Sequence, residues 1–254
     1  MDTLNIPDKV IGKLIQSPAN PCECIIAGQQ AIVAINIDNY TDKLIAYYGS
    51  NIFPDTNKVI ERSGINYNTQ HFGLQIDFLD PITLDLHDIE LNLLGDLKKL
   101  IAQFEVLIIT NAKVCDSLKD IGHRNRFPHL KFHRDRNEHQ PTPYSLYTRD
   151  PRCAEQAKPR ISSTLFISNI VAYLQCMQER DYEQIKQKGP QSHYNIFYQT
   201  DISKVLNKII LEQRWDRPHG TGEIAIVDNR RTLHASYLRD KVHHGYRIGV
   251  RYLK

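Results

Sequence analysis

The hydrophobic pattern of the chain changes character near its middle. In the first half, Gln30 to Ile37 (QAIVAINI) alternates as a strand does, and Thr41 caps a short helical stretch, DKLIAYY, that Gly49 ends. Asp88 to Phe104 (DIELNLLGDLKKLIAQF) carries apolar positions at helical spacing, and Glu105 to Ile109 (EVLII) reads as a buried strand behind it. From Phe127 onward the predicted elements are short strands between polar turns: HLKFH, ISSTLFI, HYNIFY, GEIAIV and GYRIGVRYL. Two amphipathic stretches interrupt them and predict helices, Ile170 to Arg180 and Ile202 to Arg214, the second with Asp201 as N-cap. Many short strands with a few helices outside them predict an α+β protein with a mainly β core, a jelly roll with flanking helices. Arg136 to Arg160 holds four prolines and few apolar residues, and reads as a long loop of the kind that forms lids or binding loops.

Length and composition narrow the picture without changing it. A chain of 254 residues with 41% hydrophobic and 24% charged positions suits one domain over residues 1–254. The formal charge of +3 calls for no polyanionic partner. The five cysteines are scattered, and the only close pair, Cys22 and Cys24, is C-x-C, which speaks against a disulfide scaffold and a cysteine-built zinc site. The start of the chain carries acids and lacks the pattern of a signal peptide, and no apolar run has the roughly 18 residues a membrane span needs. The expectation is a cytoplasmic, reduced protein that spans no membrane.

Candidate chemistry gathers at three places. His133 and Asp135 are two apart, so on a strand both point to one face and can converge on a metal ion. About a hundred residues later Asp228-Asn229-Arg230-Arg231-Thr232-Leu233-His234 follows a buried strand and supplies a second histidine. Two histidines and a carboxylate suit the facial triad of non-haem Fe(II) oxygenases. His-x-Asp alone equally describes a surface strand pair. Arg247 and Arg251 share a strand face with Gly249 between them, roughly 13 Å apart at 3.3 Å per residue, a spacing that suits two separate anions better than one. The planar guanidinium grips a carboxylate with two hydrogen bonds. Thr164 also reads as an ordinary β-branched strand residue. Arg230 and Arg231 read as ion partners that stabilise the turn.

Taken together, His133-x-Asp135, Thr164-Leu165-Phe166 with Ala172-Tyr173, Asp228-Asn229-Arg230 leading to His234, then Arg247 and Arg251 resemble the taurine dioxygenase and clavaminate synthase group of Fe(II)/2-oxoglutarate oxygenases, in order over residues 127–253. The resemblance implies a double-stranded β-helix, with His133, Asp135 and His234 as catalytic iron ligands. It implies that Thr164 and Arg247 hold the distal carboxylate of the cosubstrate 2-oxoglutarate, and that Arg251 meets an acidic group of the substrate. The implied reaction is hydroxylation with O₂ of an unactivated C–H bond in a small carboxylate-bearing metabolite, a free amino acid first. The first 120 residues show no alignable motif. The competing readings are a non-catalytic, cupin-like metal-binding protein, which has no need of Thr164 or Arg247, and an oxygenase acting on nucleic acid or protein. The basic run from His123 to Arg136 is the feature that suggests nucleic acid, and a solvated face explains it as well. The sequence leaves the oligomeric state open.

Replacing Arg247 with alanine is expected to weaken 2-oxoglutarate binding by about 2–5 kcal/mol, since a carboxylate loses its charged partner, while leaving metal affinity intact. Isothermal titration of the two ligands separately checks this. Unchanged 2-oxoglutarate affinity would move the anchor to another residue.

Overall fold

The computed structural model describes residues 4–40, 42–43, 46, 70–93, 95–114, 122–124, 132, 143–149, 162–168, 206, 208–215, 222–229, 231–238 and 248–253. His133, Asp135 and Arg247 lie outside them. So do the HYNIFY strand, the predicted helix over 170–180, and the cap Thr41 and stop Gly49 of the short helix.

The described elements are mostly strands. In chain order they are α1 (Asp8–Gln16), β1 (Cys22–Ile26), β2 (Gln29–Ile37), β3 (Phe72–Leu84), α2 (Leu86–Leu93), α3 (Asp96–Phe104), β4 (Val106–Val114), β5 (Gly122–Arg124), β6 (Tyr144–Arg149), β7 (Ser162–Ser168), β8 (Leu211–Arg214), β9 (Glu223–Asp228), β10 (Thr232–Leu238) and β11 (Ile248–Leu253). Eight of the strands form one sheet in the order β1-β2-β3-β4-β9-β6-β11-β5, and three form a second in the order β10-β7-β8. The result is a β-rich α+β architecture. No helix among the described residues is long and apolar enough to cross a membrane.

Pairing is antiparallel except between β3 and β4, which run parallel. Parallel neighbours need a crossover, and α2 and α3 supply it. α3 presents Leu97, Leu100, Ile101 and Phe104 at i, i+3, i+4 and i+7, and all four are buried. They join Val10 and Leu14 of α1 against one face of the large sheet, where Leu107 and Ile109 of β4, Ile224 and Ile226 of β9, and Leu146 of β6 point. The alternate residues of the same strands, Val106, Ile108, Ala225, Val227 and Tyr147, point the other way, together with Val250 of β11. There they share a second core with Leu165, Phe166 and Ile167 of β7, Leu211 of β8 and Leu233 of β10. β9, covered on both sides, is buried at every position.

The two sheets approach closely at Gly73 of β3. Its φ is +76°, and a Cβ there would lie 2.5 Å from Cδ2 of Leu211. A side chain there would force Leu211 of β8 to move, and the positive φ itself favours glycine.

Several sequence expectations change. The single helix over Asp88 to Phe104 is two helices, interrupted at Gly95, whose ψ of −115° leaves the helical range at the residue with the weakest helical preference nearby. Glu105 is not the first residue of a strand but the C-cap of α3, with φ at +63°. The end of the predicted helix Ile202 to Arg214 is strand β8, because Leu211–Arg214 pairs with β7 and alternates between buried and more exposed positions. The predicted loop Arg136 to Arg160 contains β6, an interior strand hydrogen-bonded to β9 and β11. Helix α1 and strands β1, β3 and β5 were not anticipated. Phe132, from the predicted HLKFH strand, is fully buried in the core between the sheets.

The Glu105 side chain is completely buried and ties these layers together. Its Oε1 accepts hydrogen bonds from Ser168 of β7 at 3.2 Å and from Nη2 of Arg231 at 3.1 Å, and its Oε2 accepts one from Thr232 of β10 at 3.3 Å. Its backbone carbonyl accepts the amide of Asp228 at 2.9 Å. Nη1 of Arg231 donates to the Ala102 carbonyl at 2.6 Å, satisfying an end group of α3. Arg231 is thus an ion partner as its turn position suggests, although the carboxylate it meets is Glu105; Arg230 lies outside the described residues.

Replacing Glu105 with alanine is expected to cost about 3–5 kcal/mol, since Arg231 and two buried hydroxyls lose their acceptor. Ser168→Ala, which removes one bond, is expected to cost about 1 kcal/mol. Urea denaturation measures both, and a Glu105→Ala loss no larger than that of Ser168→Ala would contradict the central role of the carboxylate.

Candidate functional site

Register between β7 and β10 decides which of the candidate residues meet. Thr232 lies opposite Ser168, His234 opposite Phe166, and Ser236 opposite Thr164. Residues facing each other across antiparallel strands share a face, so His234 and Thr164 point the same way, as diagonal neighbours roughly 7–8 Å apart. β8 extends the face with Leu211 beside Phe166 and Gln213 beside Thr164. Both His234 and Thr164 are 5% exposed.

Tyr147 of β6 shows that this face looks toward the large sheet. Its ring centroid lies 5.2 Å from that of His234 and 6.4 Å from that of Phe166. The phenol oxygen is 3.3 Å from Nε2 of His234 and 3.5 Å from Nδ1, nearly equidistant from the two ring nitrogens. Thr164 accepts a hydrogen bond at 2.9 Å from the indole Nε1 of Trp215, a side chain with no exposure at all. The Gln213 amide donates to the Arg214 carbonyl at 3.0 Å. The described part of the site is therefore a buried inter-sheet face on which His234, Tyr147, Thr164 and Trp215 stand among the apolar side chains of Phe166, Leu211 and Val250.

Arg251 is not part of it. It pairs with Leu146, which packs on the helical side of the large sheet, whereas its neighbour Val250 pairs with Tyr147 on the inter-sheet side. Nη2 of Arg251 lies 3.5 Å from Oε1 of Glu90 on α2, in a pair whose side chains are about a third exposed. The structure thus brings His234 and Thr164 together and puts Arg251 on the opposite face, where an internal carboxylate meets it. Among the described residues no group of three or more His, Cys, Asp or Glu is arranged to hold a metal ion. Of the three expected ligands only His234 belongs to the described set; Phe132, next in the chain to His133, is buried in the core that Phe166 and Tyr147 line.

Sequence reasoning missed Tyr147, Trp215 and Glu105. Tyr147 alternates with Ser145 in SLYTR, a weak strand signal between Pro143 and Pro151. Trp215 continues the alternation Leu211, Gln213 that a helical reading conceals. His71, also passed over, is 5% exposed just before β3, with neither ring nitrogen hydrogen-bonded. Burial pushes its pKa down, and the Asp38 carboxylate only partly offsets this, so it is a core histidine that favours its neutral form.

No family model matches the chain, and no curated protein does. Solved structures that resemble it include PvcB from Pseudomonas aeruginosa, at 12% identity and a TM-score of 0.45 over 71% of this chain and 85% of that one. AAD-2 in complex with Mn(II) and N-oxalylglycine resembles it at 12% identity and a TM-score of 0.43 over 74% and 96%. A taurine dioxygenase from Burkholderia xenovorans does so at 10% identity and a TM-score of 0.40 over 73% and 88%. These are loose likenesses, too loose to transfer a metal, a substrate or a reaction.

Removing the Arg251 side chain is expected to cost no more than about 1 kcal/mol, the range of a partly exposed ion pair, and to leave ligand affinities at the inter-sheet site unchanged. Urea denaturation and titration of Arg251→Ala test both parts. A large loss of affinity for an anionic ligand would return this residue to the pocket.

Proposed function

We propose that the chain is an Fe(II)- and 2-oxoglutarate-dependent oxygenase, a single domain over residues 1–254 whose two sheets are the halves of a double-stranded β-helix. The observation that carries this reading is the placing of His234 and Thr164 side by side on a buried face between the sheets. A metal ligand and a cosubstrate anchor must share one such space, and sequence spacing alone does not require that these two should.

The donor set fits the proposed groups. Two imidazoles from His133 and His234 with the Asp135 carboxylate suit Fe(II) and leave coordination positions open. A hydroxyl at Thr164 and a guanidinium at Arg247 suit the distal carboxylate of 2-oxoglutarate. Iron, when bound with 2-oxoglutarate and O₂, supplies the oxidising chemistry, in which substrate C–H becomes C–OH while 2-oxoglutarate becomes succinate and CO₂. The chain's own part is to hold these groups in register and to keep water out. Phe166, Leu211 and Val250 provide the apolar walls, and Tyr147 stands beside His234 with its hydroxyl near the imidazole.

The proposed substrate is a small metabolite bearing a carboxylate, with a free amino acid first. Because Arg251 faces Glu90, this part is supported by the family resemblance rather than by an arginine in the pocket. Anaerobic addition of Fe(II) and 2-oxoglutarate to the purified protein is expected to give a weak visible charge-transfer band, and its absence would exclude the oxygenase reading in favour of a metal-binding β protein without catalysis. Screening the standard amino acids for succinate release above the uncoupled background, with mass spectrometry for a gain of one oxygen, tests the substrate class. Coupling only to larger or uncharged metabolites would overturn it.

A further inference from the structure

The bond between Trp215 and Thr164 settles more than the position of two side chains. A hydroxyl has one proton to donate and two lone pairs to accept with, whereas an indole N–H can only donate. At 2.9 Å the Trp215 N–H therefore occupies a lone pair of Thr164 Oγ1. The hydroxyl proton is left to point elsewhere, and it meets no acceptor among the described residues. Thr164 is 5% exposed, so bulk water is a poor substitute. Accepting one hydrogen bond also polarises the O–H and makes it a better donor. Thr164 stands on the face that carries His234, and Trp215 has no exposure.

We propose that Trp215 is a positioning residue that fixes Thr164 as a hydrogen-bond donor for the distal carboxylate of 2-oxoglutarate. This rests on the oxygenase reading and adds to it a cause for the direction of the hydroxyl. Without the indole N–H, Thr164 is free to rotate and to present a lone pair, which repels an anion. With it, one lone pair is held by the indole and the hydroxyl proton, directed away from Trp215, is available to the ligand. The site then favours a carboxylate end over a neutral end that needs a donor from the protein and an acceptor together.

Trp215 is the only tryptophan in the chain, so one indole cross-peak in the ¹H–¹⁵N spectrum reports on this bond directly. The experiment uses the full chain loaded with Zn(II), which is diamagnetic and supports no turnover, titrated with 2-oxoglutarate. In the unmodified protein the indole peak is expected to move saturably with ligand. Thr164→Val should displace the peak before any ligand is added, abolish its response, and weaken 2-oxoglutarate binding about tenfold, as expected for losing a hydrogen bond to a charged group. Thr164→Ser, which keeps the oxygen, should restore both the response and the affinity. Trp215→Phe should weaken 2-oxoglutarate binding by roughly three- to tenfold with Zn(II) affinity unchanged. Wild-type affinity in a folded Trp215→Phe, or an indole peak indifferent to Thr164→Val, would overturn the proposal while leaving the oxygenase reading intact. Should Trp215→Phe fail to fold, the Thr164 pair of variants decides. An unmodified protein that binds no 2-oxoglutarate would sink both readings at once.

Discussion

A carboxylate with no access to water sits where four parts of the chain meet. Glu105 ends α3, starts the turn into β4, and gathers Ser168, Thr232 and Arg231 onto its two oxygens. A buried charge is tolerable only when its partners are all in place, so these elements are constrained to arrive together. Its left-handed backbone adds a second constraint, since φ of +63° suits a helix stop and little else. The helical layer, the large sheet and the small sheet are thereby fixed to one point.

That point sets the height of the candidate site. Thr232 and Ser168 face each other across β10 and β7, and both donate to Glu105. The next inward-facing rung is His234 with Phe166, and Thr164 lies two residues before Phe166 on β7. With the first rung pinned, a slip of one residue would turn His234 and Thr164 to the other face and leave Glu105 without its partners. The same ladder extends through β8 to Trp215, whose indole meets Thr164. The large sheet answers with Tyr147, and the bare Gly73 leaves room for the Leu211 side chain of β8.

Much of this was legible in the sequence, and the parts that were not share a cause. Strands whose two faces differ, such as Gln29–Ile37, announce themselves by alternation. The ILEQR stretch does not, because its apolar spacing satisfies helix and strand alike and only pairing with β7 decides. β6 hides between prolines and carries serine and threonine, yet it lies inside the sheet because β9 and β11 flank it. His234 and Thr164 were visible as parts of an ordered motif. Trp215 and Tyr147 gain meaning only from cross-strand neighbours that no local window contains. The case of Arg251 shows the limit of face arguments: periodicity says which residues share a face, but not which face encloses a site.

The position of β4 has a consequence for how the chain is made. In the finished protein it lies between β3 and β9, and its Val106–Val114 segment is largely apolar. β9 follows it by about 110 residues, which at roughly 5–20 residues per second leaves on the order of 5–20 s between the appearance of the two strands. During that interval β1 to β4 and the crossover helices are available to associate, but the outer side of β4 has no partner strand. It is then an open sheet edge of the kind that recruits other chains. The central strand of the mature sheet is thus, during synthesis, its most adhesive margin, and the yield of folded protein becomes a contest between the ribosome and the neighbouring chain.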